Sequence, residues 1–371
     1  MEMSATTQTH STPRTHDAAL AKLQANGGAN FGAWFGCTLP NDFGDPAAEY
    51  GYANQTVALL DKNYRAYFSF TGPDRVRYLN AILTNNIKDL AAGQGTISVL
   101  LNPQGHILAE LETYALADRH FCVSYDMIRE QLIQWMDKYI IMDDVTLSDE
   151  TGQWGTLALE GPKAAAVVKE IAKVDIVPWG ELTSVGGAVN AIPCRVVRRS
   201  PGGVPGAEFV VAREQLATLW ETLLESARKL GGGPVGYTAL SGQRLAQGVP
   251  WFGYDFGEKQ IPHEAGLENS HISYTKGCYT GQEIVERVRS RGHVNRRRVS
   301  LLFAGDTVPE AGATLTTSDG KEAGYVTRAA RIWDPPRIIG MGYVGMGYVR
   351  KETPGTTLHW SGGTAAITHV P

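Results

Sequence analysis

Eight consecutive residues, Lys276-Gly277-Cys278-Tyr279-Thr280-Gly281-Gln282-Glu283, gather a thiol, a cation, two glycines and a helix-start pattern. Thr280 followed three positions later by Glu283, ahead of Ile284 to Val288, has the spacing of a capping box, in which each side chain satisfies a free backbone N–H. It predicts a helix beginning at Thr280. Cys278 would then stand just before the positive end of that helix and just after the ammonium of Lys276, and both neighbours favour a thiolate. Cys278 is therefore the candidate reactive thiol and Lys276 its electrostatic partner. The plainer alternative is a capped helix beside an inert, hydrophobic cysteine.

The elements that must hold this loop are legible as alternation and turns. Val57 to Leu60 and Ala66 to Phe70 read as strands, after which Gly72-Pro73-Asp74 turns into a helix with Val76, Leu79, Ile82 and Leu83 on one side. Ile97 to Leu101 and Ile107 to Ala115 make a hairpin around Asn102-Pro103-Gln104-Gly105. Phe121 to Tyr125 is a strand and Met127 to Tyr139 a helix. Val145 to Leu147 and Trp154 to Leu159 are strands, and Gly161-Pro162 opens a helix from Ala164 to Ile171. This second Gly-Pro turn, roughly ninety residues after the first, hints at two related α+β lobes. Ala191 to Arg199 and Ala207 to Val211 are further strands, and Glu214 to Leu230 is a helix. From Val299 onward, short runs broken by Gly-Asp, Asp-Gly and Pro-Gly turns predict a small antiparallel barrel. Near the start, Phe31, Trp34 and Phe35 are too apolar for a free tail and are expected to dock on the body.

The pattern Lys-Gly-Cys-Tyr-x-Gly-Gln-Glu, running through Arg287 and Arg291-Gly292 into a basic strand, resembles the signature of the YgfZ-type folate-binding proteins, relatives of the glycine-cleavage T-protein (aminomethyltransferase). The Gly-Pro-Asp turn, the Leu83-Thr84-Asn85 helix end and the hairpin with Asn102 and Gly105 at its tip are similar to the T-protein's first half. The resemblance runs from Thr56 to the C-terminus. It implies an α+β chain: a two-lobed aminomethyltransferase-type folate-binding body with a small C-terminal antiparallel β-barrel. The corresponding division is a disordered tail (1–25), a first lobe (26–150), a second lobe with the signature (151–298) and the barrel (299–371). The implied cofactor is tetrahydrofolate or a one-carbon derivative, held in the cleft between lobes. The implied role is assembly or repair of iron–sulfur clusters, extending to radical enzymes that modify tRNA, with iron–sulfur assembly or client proteins as partners.

Within that resemblance, Glu208 matches a glutamate that contacts the pterin, whose adjacent N–H and NH₂ donors a carboxylate can accept as a parallel pair. Otherwise it is a solvent-facing strand residue. Arg244 falls on the arginine of the family's Leu-Arg-x-Glu-x-Gly element and suits the carboxylate end of folate. Tyr254, with Trp251 and Phe252, could stack a flat ring or plug the core. Where the transferases carry paired aspartates after the hairpin turn, this chain has Ala109 and Glu110; displacing a catalytic carboxylate by ~1 Å can cost ~100-fold in rate. Glu110 is a candidate acid or base, or a residue facing water. The expectation is a binding protein rather than a transferase. A folate-dependent aminomethyltransferase of the glycine-cleavage type is the alternative, and an RNA- or protein-binding adaptor a further one.

Composition narrows the classes. The 371 residues exceed what one core usually serves. A formal charge of −4 with 19% charged residues points to neither nucleic acid nor membrane. Against that background the run Arg287, Arg289, Arg291, Arg296, Arg297 and Arg298 could grip a polyglutamyl tail, RNA phosphates or an acidic partner, or be a solvated face. Cys37, Cys122, Cys194 and Cys278 lie far apart without a CxxC pair, so no zinc ribbon or protein-ligated cluster is expected. His263, Glu264 and His271 lack the HExxH spacing because Leu267 occupies the fifth position, and no metal site is expected. Gly340 to Gly345 matches GxGxxG, but no helix follows and Pro354 is near, which rejects a dinucleotide site. The polar segment Met1 to Asp17 lacks the apolar core of a secretory signal, and a cytoplasmic protein with a disordered tail is expected.

Overall fold

The computed structural model describes residue 14 and residues 17–292, 294–347 and 356–371. The proposed tail therefore lies largely outside the described residues, as do Pro354 and the side chain of Arg291. Helix α1 (Ala18–Asn26), capped by the Asp17 carboxylate, cuts that tail short: Leu20 is buried in the core, so order begins before residue 25. A hairpin of β1 (Asn30–Trp34) and β2 (Cys37–Asp42) follows, then α2 (Pro46–Gln55), with Asp45 as its cap and proline at its first position, and β3 (Ala58–Asp61). Trp34 and Phe35 pack against Leu60, Tyr237 and Trp251, whereas Phe31 stays at the surface.

The first sheet is contiguous in the chain. It comprises β4 (Arg65–Thr71), β5 (Gly95–Leu101), β6 (Ile107–Ala115), β7 (His120–Tyr125) and β8 (Thr146–Asp149), with α3 (Arg75–Ile82) after β4 and α4 (Arg129–Asp137) after β7. Its order is β5-β6-β7-β4-β8, antiparallel throughout. Ala66, Phe68 and Phe70 of β4 face Leu79, Ile82, Leu132 and Met136 of the two helices. The alternating set Arg65, Tyr67 and Ser69 must then point the other way.

The second sheet collects β9 (Trp154–Glu160), β10 (Ser184–Val189), β11 (Ile192–Arg198), β12 (Gly206–Ala212) and β13 (Gly233–Pro234), backed by α5 (Ala164–Ala172) and α6 (Leu216–Lys229). Its order is β10-β11-β12-β9-β3-β13. Strand β3 pairs with β9, Leu59 opposite Leu159, so Ala58–Asp61 belongs to the second sheet, while β1 and β2 form a two-stranded sheet of their own and the first sheet begins at β4. In both lobes a sheet strand passes through a Gly-Pro turn into a helix that covers the outer face, which is the internal likeness the two turns suggested.

Beyond α7 (Tyr237–Ala246), the one-turn α8 (Pro262–Ala265) and α9 (Gln282–Arg291), the chain closes a barrel. Its strands are β14 (Arg296–Phe303), β15 (Thr314–Thr316), β16 (Glu322–Trp333), β17 (Pro336–Gly345), β18 (Thr357–Trp360) and β19 (Gly363–His369). Their order is β14-β17-β16-β15-β18-β19, antiparallel throughout. The barrel starts at Arg296 rather than 299, and the GxGxxG stretch lies within β17 instead of a strand-to-helix turn. Among the described residues no helix is long and apolar enough to cross a membrane.

Candidate functional site

The inner faces of the two sheets meet in a seam that is partly apolar and partly ionic. Tyr67, Tyr114, Phe121 and Val123 from the first sheet pack with Val197 and Val210 from the second. Arg65 donates both terminal nitrogens to Glu208, Nη1 to Oε2 at 2.5 Å and Nη2 to Oε1 at 2.8 Å, and lies 3.5 Å from Glu112. Lys62 bridges Glu160 at 2.9 Å and Glu208 at 3.6 Å. Arg244 donates to Glu160 and to Gln243, and Arg199 joins Glu112 to Glu181. Burial alone would push Glu112 and Glu160 upward. The charges of Arg65 and Arg199 on one, and of Arg244 and Lys62 on the other, outweigh burial and hold each carboxyl at about 2. Such charges survive burial because each carboxylate is shared between cations.

Glu208 therefore faces inward, its side chain 1% exposed, and the solvent-facing alternative is excluded. Arg244 lies in the same network, linked to Glu208 through Glu160 and Lys62. Its guanidinium is committed to Glu160, so a direct grip on the carboxylate end of a ligand does not fit this arrangement. Lys62, Arg65, Glu112, Glu160 and Arg199 escaped the sequence reading. For Arg65, the alternation of Arg65, Tyr67 and Ser69 with Ala66, Phe68 and Phe70 marks a second face of β4 but not what covers it.

Glu110 does not face water either. The β6 register seals Ala109 among apolar side chains of α3 and α4, and turns Glu110 to the opposite face. Its Oε2 accepts from Tyr125 Oη at 2.7 Å, and its Oε1 lies 3.0 Å from His271 Nε2, while His271 Nδ1 lies 2.7 Å from Ser270 Oγ.

The signature loop departs from its expected form at both ends. Helix α9 starts at Gln282 with Gly281 as N-cap in a left-handed conformation, and no side chain caps it, so the Thr280–Glu283 capping box does not form. The reason is tertiary. A Cβ on Gly281 would stand 2.7 Å from Asn102 O, and one on Gly105 2.8 Å from Ile284 Cβ; both glycines have positive φ. The tip of the β5–β6 hairpin and the start of α9 thus interlock through two glycines, bringing together two motifs far apart in sequence. Lys276 is not turned to Cys278: its ammonium donates to Asn80 O and Leu83 O at the end of α3, and burial pushes its pKa down to about 8. Tyr279 is buried with Leu101, Phe252 and Val285. Anchored on both sides, Cys278 is exposed, whereas Cys37, Cys122 and Cys194 are buried.

The remaining expectations resolve structurally. Tyr254 packs on Phe35 and Trp251, and its hydroxyl accepts from Phe35 N, so it plugs the core rather than offering a stacking face. Arg296 pairs with Glu264, Arg297 with Glu268, and Arg298 donates to Ala265 O; these arginines tie the barrel to the approach loop. Arg287 pairs with Glu283, and Arg289 lies over the Tyr274 ring. Each of these five described arginines thus has a partner within the chain. No cluster that could hold a metal occurs among the described residues.

Comparison with known proteins places this geometry. The chain is 25% identical to an aminomethyltransferase of Chloroherpeton thalassium over 88% of its own length and 89% of the relative's. It is 24% identical to one of Streptomyces avermitilis over 91% of each. The crystal structure of the glycine cleavage system aminomethyltransferase T from Bartonella henselae superposes with a TM-score of 0.86 at 23% identity, covering 96% of this chain and 97% of that one, so the two share a fold. Residues 19–272 match the GCVT N-terminal domain model, and with well over half of its length matched the chain belongs to that family.

Proposed function

We propose that this protein is a YgfZ-type tetrahydrofolate-binding protein that supports assembly or repair of iron–sulfur clusters, including those of radical enzymes that modify tRNA. The observation that carries the reading is the Glu208 carboxylate, which accepts two parallel N–H groups from the planar Arg65 guanidinium. A pterin edge presents adjacent N–H and NH₂ donors in the same way. Arg65 stands where that edge would lie, and Glu112 offers the displaced guanidinium a second carboxylate. Tyr64, next to Arg65 in the chain, and Tyr125, the partner of Arg65 across the β4–β7 pair, are half-buried and stacked on one another and supply flat apolar walls. Arg244 then acts through Glu160 and Lys62, holding Glu208 in place. A bound reduced folate would contribute its capacity to carry one-carbon units. The exposed Cys278, on a loop fixed at Lys276 and Tyr279, is assigned the transient thiol contact with a client.

A second reading, a folate-dependent aminomethyltransferase, is favoured by the full-length likeness to proteins of that name. Against it stands Ala109, sealed in the apolar core with no carboxylate to offer. Titrating tetrahydrofolate into wild type, Glu208→Ala and Cys278→Ala decides between them. Removing the charged acceptor should weaken binding at least tenfold, a conservative figure for losing two charge-assisted bonds of about 1.5–3 kcal/mol each. Cys278→Ala should bind as wild type and fail to restore iron–sulfur enzyme activity in cells. Steady release of ammonia and methylene-tetrahydrofolate would support the transferase instead. Steeply salt-dependent RNA binding, unaltered by Glu208→Ala, would support an adaptor.

A further inference from the structure

We propose that Ser270, His271 and Glu110 form a nucleophilic relay competent for acyl transfer from small activated esters, separate from both Glu208 and Cys278. The order of groups is hydroxyl, imidazole, carboxylate, with Ser270 Oγ 2.7 Å from His271 Nδ1 and His271 Nε2 3.0 Å from Glu110 Oε1. The tautomer that donates from Nε2 to Glu110 leaves Nδ1 to accept from the serine. Among the described residues that hydroxyl also reaches Leu267 O, at 3.4 Å, so the contact to the ring nitrogen is the shorter of the two. Serine hydrolases use the same roles with the two ring nitrogens exchanged, and it is the roles that define the device.

Every member is held. Tyr125 Oη occupies the second oxygen of Glu110 and stops the carboxylate from turning. Thr84 Oγ1 donates to His271 O at 2.6 Å, Asn85 Nδ2 to Ser270 O at 3.2 Å, and the N–H groups of Ser270 and His271 both reach Leu267 O. His271 is buried, 7% exposed, while Ser270 is exposed, which shields the base and presents the nucleophile. The relay rests on its own hydrogen bonds and none of its members belongs to the ionic seam, although Tyr125, which holds Glu110, is also one of the walls assigned to folate.

In the step, Ser270 Oγ adds to the acyl carbon and its proton passes to His271 Nδ1, while Glu110 stabilises the imidazolium. The bond from the acyl carbon to the leaving oxygen then breaks, and that oxygen takes the proton from Nδ1. Water repeats the sequence on the acyl-serine and releases the carboxylic acid. The amide of Asn85 is already shared between Ser270 O and Ile97 O, so it does not aim a free donor at the developing oxyanion. Activation of the hydroxyl should therefore outrun turnover, and covalent capture is the proper readout.

The experiment treats the full-length protein with a fluorophosphonate probe and follows intact mass and peptide maps. One adduct on Ser270 is expected, absent in Ser270→Ala, which removes only an exposed hydroxyl. General-base assistance is worth about 10²–10⁴-fold, so Glu110→Gln and His271→Gln should slow labelling by about 100-fold or more with thermal melts checked alongside. No adduct on Ser270 in the wild type, or equal labelling rates in a folded Glu110→Gln or His271→Gln protein, overturns the proposal.

Discussion

The seam between the lobes and the loop around Cys278 place their chemistry on opposite terms. In the seam the groups assigned to ligand recognition, Glu208 and its neighbours, are also the groups that hold the sheets together, and each charge is buried against another. In the loop, the anchors are Lys276, Tyr279 and the paired glycines, and the group assigned to chemistry is an exposed thiol beside them. Substitutions should therefore couple stability to function in the seam and separate them in the loop. The sharpest way to break this contrast is Arg65→Ala, which leaves Glu208 with the longer 3.6 Å contact to Lys62 and Glu112 with Arg199. Removing one partner of a buried pair costs about 3–5 kcal/mol, read as a loss in urea unfolding free energy. An Arg65→Ala protein as stable as wild type would mean that the seam is wet and the lobes stand apart.

Acid probes the same charges without mutation. The folded pKa of Glu112 and of Glu160 is depressed from 4.5 to about 2, so their stabilisation is fully present above pH 4.5 and is lost as pH falls through 2. Urea midpoints should decline steadily across that window, and a flat profile there would show that neither carboxylate is paired in solution. Next in size is the interlock. Gly281→Ala forces a β-carbon against Asn102 O in a left-handed backbone, at about 2–4 kcal/mol when strain and overpacking are combined. The same change at Gly292, where the surroundings are open, should cost about 1 kcal/mol from backbone strain alone, and equal losses at the two sites would remove the interlock.

These cases show what could be read in advance. The β5–β6 hairpin was legible because a Pro-x-Gly turn lies between two alternating runs, and α4, α5 and α6 because each shows one apolar stripe to its sheet. Helix α7 was not, since it is buried on nearly every side and no stripe marks it. Glu208 could be placed only through the resemblance. Its partner Arg65 could not, because period-two alternation gives the face of a strand and not what covers that face. The capping box at Thr280 failed for the complementary reason: the local pattern was sound, but the approach of Asn102 dictated a glycine cap one residue later.

Lys276 and Cys278 sharpen the contrast at its small end. Burial lowers the folded pKa of Lys276 from 10.5 to about 8, so the unfolded chain binds more protons between those values and stability rises with pH across them. The rise should vanish in Lys276→Met, which forfeits the contacts to Asn80 O and Leu83 O but also removes a desolvated charge. Those terms oppose one another, and the net cost at pH 7 should be about 1 kcal/mol. Cys278→Ala comes last, because an exposed side chain away from core, cap and ion pair shifts stability by no more than about 0.5 kcal/mol. If Cys278→Ala melted well below wild type, the thiol would be part of the loop's framework rather than a group displayed on it, and the seam and the loop would no longer be built on different terms.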